Sequence, residues 1–377
     1  MSDSYSHDEK WMQRAIKLAR LSRGYTRPNP PVGAVVVKDG RVIGEGRHKR
    51  AGCDHAEVVA LKACIENVEG ATLYVTLEPC STHGRTPPCT DLIIRSKIKR
   101  VVIGCKDYYE HHCGKGHKIL EQSGVEVISG VCEQECYDLA VPFFRHVHTG
   151  KPYLSLKLGM TLDGCIADHN SCSQWITGEE SRLEVQRIRS TVDAVMVGSG
   201  TVCVDDPSLL CRLDGGDNLM RIVIDSSGTI PATAQVLTDS AAGRTVVFTS
   251  ENTPLEMLHA WRKNGAEVKI LPLLKCGHLS LEAVMSKLGD MDLMHVVCEG
   301  GGGLAGALHD ADLIDEYLLF YAPAVLGDIN AKRGFAFNNM ESTLSGMPRM
   351  QIKDVRMFGS DVQVRMVKSE DQTCSQD

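Results

Sequence analysis

Four side chains from three separated stretches constrain this chain more than any other feature: His55-Ala56-Glu57, then Glu78-Pro79-Cys80, then Cys89. One imidazole and two sulfurs can hold a zinc ion and leave its fourth position open to water. Glu57 stands two residues past the histidine, where it can move that water's protons without being a ligand. Any one of these residues alone is an ordinary packing residue, cysteine above all. Together they demand a fold in which the start of a helix, the end of a strand and a later segment meet at one point.

The order H-x-E, P-C, C is that of zinc-dependent nucleobase deaminases, in which water displaces an exocyclic amine. Here eight residues, Ser81 to Pro88, separate the cysteines, a longer insert than C-x-x-C. The surrounding pattern fits. A helical repeat of Trp11, Ala15, Leu18 and Ala19 stops at Gly24, and Val32 to Val37 and Val42-Ile43 flank an Asp39-Gly40 hairpin turn. A helix is expected to begin near His55, and the strand Thr72 to Leu77 delivers Glu78, Pro79 and Cys80. Helix Asp91–Ser96, strand Val101–Ile103, helix Gly116–Gln122 and strand Val125–Ile128 continue an alternation that predicts an α/β layer sandwich.

Beyond Pro152 the alternation restarts without any internal repeat, so 377 residues read as two domains. The boundaries expected are a deaminase domain over 1–148, a second α/β domain over 149–369 and a polar, disordered tail over 370–377. A formal charge of −7 opposes general attraction to nucleic acid or anionic membranes. No apolar run approaches the ~18 residues of a membrane span, and the start of the chain is polar. Fifteen scattered cysteines without a C-x-x-C pair read as reduced thiols. A cytoplasmic protein, free of nucleic acid and membrane, is expected.

In the second half, Gly301-Gly302-Gly303-Leu304-Ala305-Gly306 follows a strand and spells G-x-G-x-x-G. Two readings stand: backbone amides closing on a pyrophosphate at a helix start, or a tight turn serving packing alone. Gly198-Ser199-Gly200-Thr201 is a second small-residue turn after a strand. His111-His112, with His117 nearby, have no metal-ligand spacing and read as solvated, and Cys132 and Cys136 read as part of a surface helix.

The insert Thr76-Leu-Glu-Pro-Cys80 through Gly84-Arg-Thr-Pro-Pro-Cys89 resembles that of the bifunctional deaminase/reductase family of riboflavin biosynthesis. So do Lys157-Leu-Gly-Met-Thr-Leu-Asp-Gly164, Ser173-Gln-Trp-Ile-Thr177, Gly200-Thr201 with Asp205-Asp206-Pro207, and Glu299-Gly-Gly. The likeness runs over residues 8 to 368. It implies a cytidine-deaminase-like three-layer α/β/α domain followed by a dihydrofolate-reductase-like α/β domain. It also implies zinc-dependent deamination of a phosphorylated diaminopyrimidine, then NADPH-dependent reduction of its ribosyl side chain to ribityl. A homo-oligomer is expected.

Position by position, the resemblance assigns His55, Cys80 and Cys89 to zinc and Glu57 to proton transfer. Asn29, His48, Arg85, Thr86 and Asp107 match deaminase substrate contacts. Gly159, Trp175, Thr177, Thr201, Asp205 and the run Gly301, Gly302, Gly303, Leu304, Ala305, Gly306, Ala307 match the dinucleotide site. Lys157, Ser173, Arg189, Leu209, Arg212 and Glu299 match reductase substrate positions. Arg189 and Arg212 make physical sense as a phosphate clamp; the alternative for Arg189 is a helix-ending cation.

The chain departs from the family at Thr82, where histidine is usual, and at Asp107-Tyr108-Tyr109-Glu110, where Asp-Pro-Asn-Pro is usual. Gly302-Gly303 also replace a Pro-Thr pair. Two other functions compete: a nucleic-acid base deaminase with an accessory domain, and a homologue whose deaminase site has decayed.

Overall fold

The computed structural model describes residues 2–82, 87–108, 113–213, 219–239, 243–336 and 347–368, with side chains described from residue 7 onward. It divides into two compact units, Met1–Lys151 and Pro152–Asp377.

In the first unit, helix α1 (Ser2–Arg20) precedes a hairpin of β1 (Gly33–Lys38) and β2 (Arg41–Arg47). Asp39 and Gly40, both at positive φ (48° and 72°), turn it. Then come α2 (Ala56–Lys62), β3 (Thr72–Leu77), α3 (Cys89–Arg95), β4 (Arg100–Cys105), α4 (Lys115–Gln122), β5 (Glu126–Ser129) and α5 (Glu133–Thr149). The sheet order is β2-β1-β3-β4-β5, with β1 antiparallel to β2 and β3, and β3, β4 and β5 parallel.

Strand side chains alternate between two apolar faces, as the period of two requires. Val35 and Val37 pack with Met12, Ile16, Leu139 and Phe144 of α1 and α5. Ala34 and Val36 pack with Ala56, Ala60, Ile93 and Leu120 of α2, α3 and α4. The result is the expected α/β/α sandwich. One detail differs from the sequence reading: Cys136 is buried, not on a surface helix. Glu133 and Glu135 mark only the wet face of α5, whose other face carries Cys136, Leu139, Ala140 and Phe144.

The second unit runs β6 (Tyr153–Met160), β7 (Cys165–Ala167), α6 (Glu179–Arg189), β8 (Ala194–Gly198), α7 (Ser199–Asp205), β9 (Met220–Ile224) and α8 (Gln235–Thr238). It continues with β10 (Thr245–Thr249), α9 (Leu255–Lys263), β11 (Glu267–Ile270), α10 (Leu281–Gly289), β12 (His295–Cys298), α11 (Gly302–Asp310) and β13 (Glu316–Tyr321). Three strands follow: β14 (Lys332–Arg333), β15 (Met350–Phe358) and β16 (Asp361–Lys368). The main sheet has the order β11-β10-β9-β8-β12-β6-β13-β16-β15, and β14 pairs with β7. From β11 to β13 neighbours are parallel; β16 and β15 are antiparallel additions at one edge.

Apolar side chains cover both faces of the parallel part, Leu154, Met196, Ile222 and Phe248 on one and Val195, Val223, Val247 and Trp261 on the other. Strand order reverses beside β12 and β6. An open α/β sheet binds ligands at such a point, beyond the carboxyl ends of its strands. Among the described residues no helix is long and apolar enough to cross a membrane.

Candidate active sites

Helix α2 rests on β2 through two glycines. A Cβ on Gly44 would lie 2.4 Å from the Ala60 carbonyl oxygen, and one on Gly46 2.5 Å from the Ala60 nitrogen. That close approach fixes where α2 begins. His55 is its extended N-cap residue, and Glu57 lies in the first turn with only 4% of its surface exposed. Cys80 follows β3, and Cys89 opens α3 immediately after Pro88.

The three ligand atoms lie within 4.8 Å of one another. His55 Nδ1 is 3.3 Å from Cys89 Sγ and 3.5 Å from Cys80 Sγ, and the Cys89 amide donates to Cys80 Sγ at 3.3 Å. Cys89 and His55 together pull the Cys80 thiol down to about 4. The adjoining Cys80 sulfur, then burial, hold Cys89 far above the usual thiol range. Burial, aided by the Cys80 charge, pushes Glu57 up to about 7. A divalent cation among these atoms relieves the repulsion that keeps Cys89 protonated, and two sulfurs with one imidazole suit zinc.

Beside the cluster, His48 is buried with its ring 5.4 Å from that of His55. Asn29 Nδ2 donates to His48 Nε2 at 3.0 Å, and His48 Nδ1 donates to the Asp54 carbonyl at 3.1 Å. This pairing makes the imidazole neutral, in line with burial holding its pKa down. Asp107 follows β4, and its amide donates to Glu78 Oε2 at 3.2 Å. Arg85, Thr86, Tyr109, His111, His112 and the tail 370–377 lie outside the described residues.

In the second unit a cleft of 1690 Å³ opens at the carboxyl ends of β6, β8, β9 and β12. Lys157 and Gly159 on β6, Thr201 and Asp205 on α7, Leu209, Arg212, and Glu299 after β12 line it. So do Ser173, Trp175, Thr177 and Arg189. Glu299 receives Arg189 through two bonds, from Nε at 2.7 Å and Nη2 at 3.1 Å, while Arg189 Nη1 donates to the Leu210 carbonyl at 2.8 Å. Burial lowers the Lys157 pKa against the opposing pull of Glu299. Ser173 Oγ donates to Asp205 Oδ1 at 2.8 Å. A Cβ on Gly159 would stand 3.3 Å from Thr177 Cγ2.

The two glycine turns meet here. Gly301 donates its amide to Thr201 Oγ1 at 3.0 Å and caps α11. Gly301, Gly302, Gly303, Leu304 and Ala307 line the cleft, whereas Ala305 and Gly306 do not. Ala305 is packed in the core, and a Cβ on Gly306 would meet the Ala336 carbonyl oxygen at 2.3 Å. Residues on the far side of a helix turn cannot face the same cleft.

Sequence reasoning gave no role to several residues. Ser226 and Ser227, just after β9, line the cleft; the only signal was their place at a strand end. Arg182 sits 4.6 Å over the ring of Trp175, itself 70% exposed. Glu78 was read as part of a signature, yet its oxygens accept amides 29 to 39 residues away, a relation no local pattern reports.

Residues 5–105 match the cytidine and deoxycytidylate deaminase zinc-binding region, and residues 152–364 match the RibD C-terminal domain. The riboflavin biosynthesis protein RibD of Aquifex aeolicus is 39% identical over 356 residues, spanning 94% of this chain and 97% of that one. That of Escherichia coli K12 is 39% identical over 373 residues, 96% and 99% of the two chains.

The chain belongs to the RibD family. It joins a zinc-dependent deaminase to an NADPH-dependent reductase, a bifunctional enzyme of riboflavin biosynthesis. Two solved structures carry the same fold. One is a diaminohydroxyphosphoribosylaminopyrimidine deaminase/5-amino-6-(5-phosphoribosylamino)uracil reductase from Thermotoga maritima, 38% identical with a TM-score of 0.85, covering 97% of this chain and 100% of that one. The other is Acinetobacter baumannii RibD, 34% identical with a TM-score of 0.83 and the same coverage. Similarity to RibD across both halves disfavours the two competing functions.

Proposed function

We propose that this RibD-family chain deaminates a diaminopyrimidine ribosylamino phosphate in its first unit and reduces the ribosyl side chain of the product in its second. The convergence of His55, Cys80 and Cys89 around a buried Glu57 is the observation that carries the reading. His55, Cys80 and Cys89 hold zinc, which when bound supplies a Lewis acid that lowers the pKa of a water. Glu57 takes a proton from the attacking water and returns it to the amine nitrogen as the C–N bond breaks. Ammonia leaves, and the water's second proton ends on the adjacent ring nitrogen as the ring carbonyl forms. Asn29, oriented by His48, and Asp107 hold the pyrimidine, with Arg85 and Thr86 assigned by resemblance alone.

In the reductase, Gly159, Trp175, Thr177, Thr201, Asp205 and the Gly301–Ala307 turn hold NADPH, the source of hydride. Ala305 and Gly306 serve it through packing. Lys157, Ser173, Leu209 and Glu299 hold the substrate. Arg212, exposed at the cleft, offers charge to the phosphate, while Arg189 is largely committed to Glu299 and Leu210.

The charge of −7 supports a partner list without nucleic acid, and described cysteines that form no disulfide support a cytoplasmic setting. A homo-oligomer is supported by the edge strand β15, which exposes Ile352, Val355 and Met357.

The test is direct. Purified full-length protein is given the diaminopyrimidine phosphate, and ammonia release and NADPH oxidation are followed separately. Both are expected, with Cys80→Ser losing only the first when the already deaminated compound is supplied for the second. Absence of ammonia release from zinc-loaded protein would overturn the deaminase half.

A further inference from the structure

The carboxylate of Glu78 is buried at the end of β3, two residues before the proposed zinc ligand Cys80. It accepts three backbone N–H groups and no described side chain competes for it. Oε2 takes the amides of Asp107 at 3.2 Å and Gly114 at 3.0 Å, and Oε1 takes that of His117 at 3.1 Å. Asp107 lies just after β4; Gly114 is the N-cap of α4, and His117 lies in its first turn. One side chain therefore fastens both the exit of a strand and the entrance of a helix.

The neighbourhood is built for this arrangement. Gly114 is the N-cap of α4 at φ 67°, a conformation most side chains resist. A Cβ on Gly116 would stand 2.2 Å from the Pro79 carbonyl oxygen and 3.3 Å from Glu78 Oε1, so only glycine lets α4 come this close. A carboxylate at a helix start meets free amides and the positive end of the helix dipole. Here the acid comes from a different strand, so the cap is also a tertiary tie. On the other side of Asp107, the Tyr108 ring packs edge-on against Tyr137 at 5.4 Å and Phe144 at 5.3 Å, both on α5.

We infer that Glu78 is a positioning residue of the deaminase: by fixing the backbone of Asp107 and the start of α4 to the strand end that leads into Cys80, it presents Asp107 to the pyrimidine. This rests on the proposed reading of Asp107 as a substrate contact. Glu78 itself touches neither substrate nor metal ligand in this role. A neutral amide in its place keeps the volume but turns an N–H₂ group toward amides that need an acceptor.

The experiment uses full-length, zinc-loaded protein and steady-state ammonia release from the diaminopyrimidine phosphate. Glu78→Gln is expected to retain its zinc and its NADPH-dependent reductase rate, and to raise the deaminase KM about tenfold with a much smaller change in kcat, the pattern of lost uniform binding. Asp107→Ala is expected to raise KM likewise, and the double variant to be no worse than Asp107→Ala alone. A wild-type KM in Glu78→Gln beside a raised KM in Asp107→Ala overturns the inference and leaves the substrate reading standing. A wild-type KM in Asp107→Ala overturns the substrate reading itself. If Glu78→Gln loses zinc, Glu78→Asp decides the matter: the shorter acid keeps the charge and draws it away from the amides. A raised KM with zinc retained supports the role, and a wild-type KM overturns it.

Discussion

Arg189 grips Glu299 through two nitrogens, Nε to Oε1 at 2.7 Å and Nη2 to Oε2 at 3.1 Å, with only 13% and 10% of the two side chains exposed. The fork geometry suits a carboxylate better than a single ammonium does. Burial opposes ionisation of Glu299, but Arg189 and then Lys157 more than offset it and keep its pKa low. Arg189→Met leaves that buried carboxylate with Lys157 alone, and is expected to cost the reductase unit about 3–5 kcal/mol in urea unfolding. Arg189→Lys recovers only part of this. Wild-type stability in Arg189→Met would show that the pair contributes little.

The cluster of His55, Cys80 and Cys89 was legible because its side chains stand at fixed offsets from a strand end and a helix start. The parallel strands were legible for a similar reason: Val195, Val223 and Val247 lie in short apolar runs bounded by turns. β15 was not legible, because Met350-Gln351-Ile352-Lys353 and Val355-Arg356-Met357 alternate only over short runs, whose phase slips where the register shifts between Ile352 and Asp354. Long-range ties were also hidden. Neither the grip of Arg189 on Glu299, 110 residues on, nor that of Glu78 on α4 leaves a local trace.

A variant at Glu57 separates its proposed proton transfer from metal binding. This residue is buried beside the proposed ligands, and its amide analogue keeps nearly the same shape. Glu57→Gln is expected to retain zinc, measured by metal content, while deamination falls about 10²–10⁴-fold, the usual weight of general acid–base catalysis. Loss of the metal in that variant would mean Glu57 is a ligand or a structural support instead.

Gly302 and Gly303 are adjacent, line the same cleft and should respond oppositely to alanine. A Cβ on Gly302 would lie 2.1 Å from the Arg333 carbonyl oxygen, whereas one on Gly303 meets nothing within 4 Å. Gly302→Ala is expected to destabilise by about 1–3 kcal/mol through overpacking. Gly303→Ala should hold or gain stability, by up to about 1 kcal/mol from helix propensity. NADPH titration then separates the two readings of the turn. Weaker binding by stable Gly303→Ala places a ligand against that backbone; unchanged binding leaves Gly303 without a close ligand contact.

Asp8 ties α1 to the sheet and should make the first unit sensitive to acid. It accepts Arg100 Nη1 and Nη2, each at 2.8 Å, and the Tyr74 hydroxyl at 2.7 Å. Burial by itself raises the pKa of Asp8, but the Arg100 and Tyr74 hydrogen bonds and the Arg100 charge outweigh it and hold the carboxyl below its ordinary value of 3.8. A carboxylate depressed in the folded state stabilises fully above its unfolded pKa, and that stability is lost as pH falls through the folded value. Asp8→Asn keeps the size and removes the charge, leaving Arg100 with Glu126 at 3.1 Å as its remaining ion-pair partner. At neutral pH the variant is expected to be less stable by about 1.5–3 kcal/mol, the range for hydrogen bonds to a charged group. Below about pH 4 the gap should begin to close, and it closes fully only as pH falls through the lower folded-state pKa of Asp8. Urea unfolding of both proteins from about pH 3 to 8 measures the gap directly. A gap that stays constant across that range would show that hydrogen-bond geometry, not the Asp8 charge, holds α1 in place.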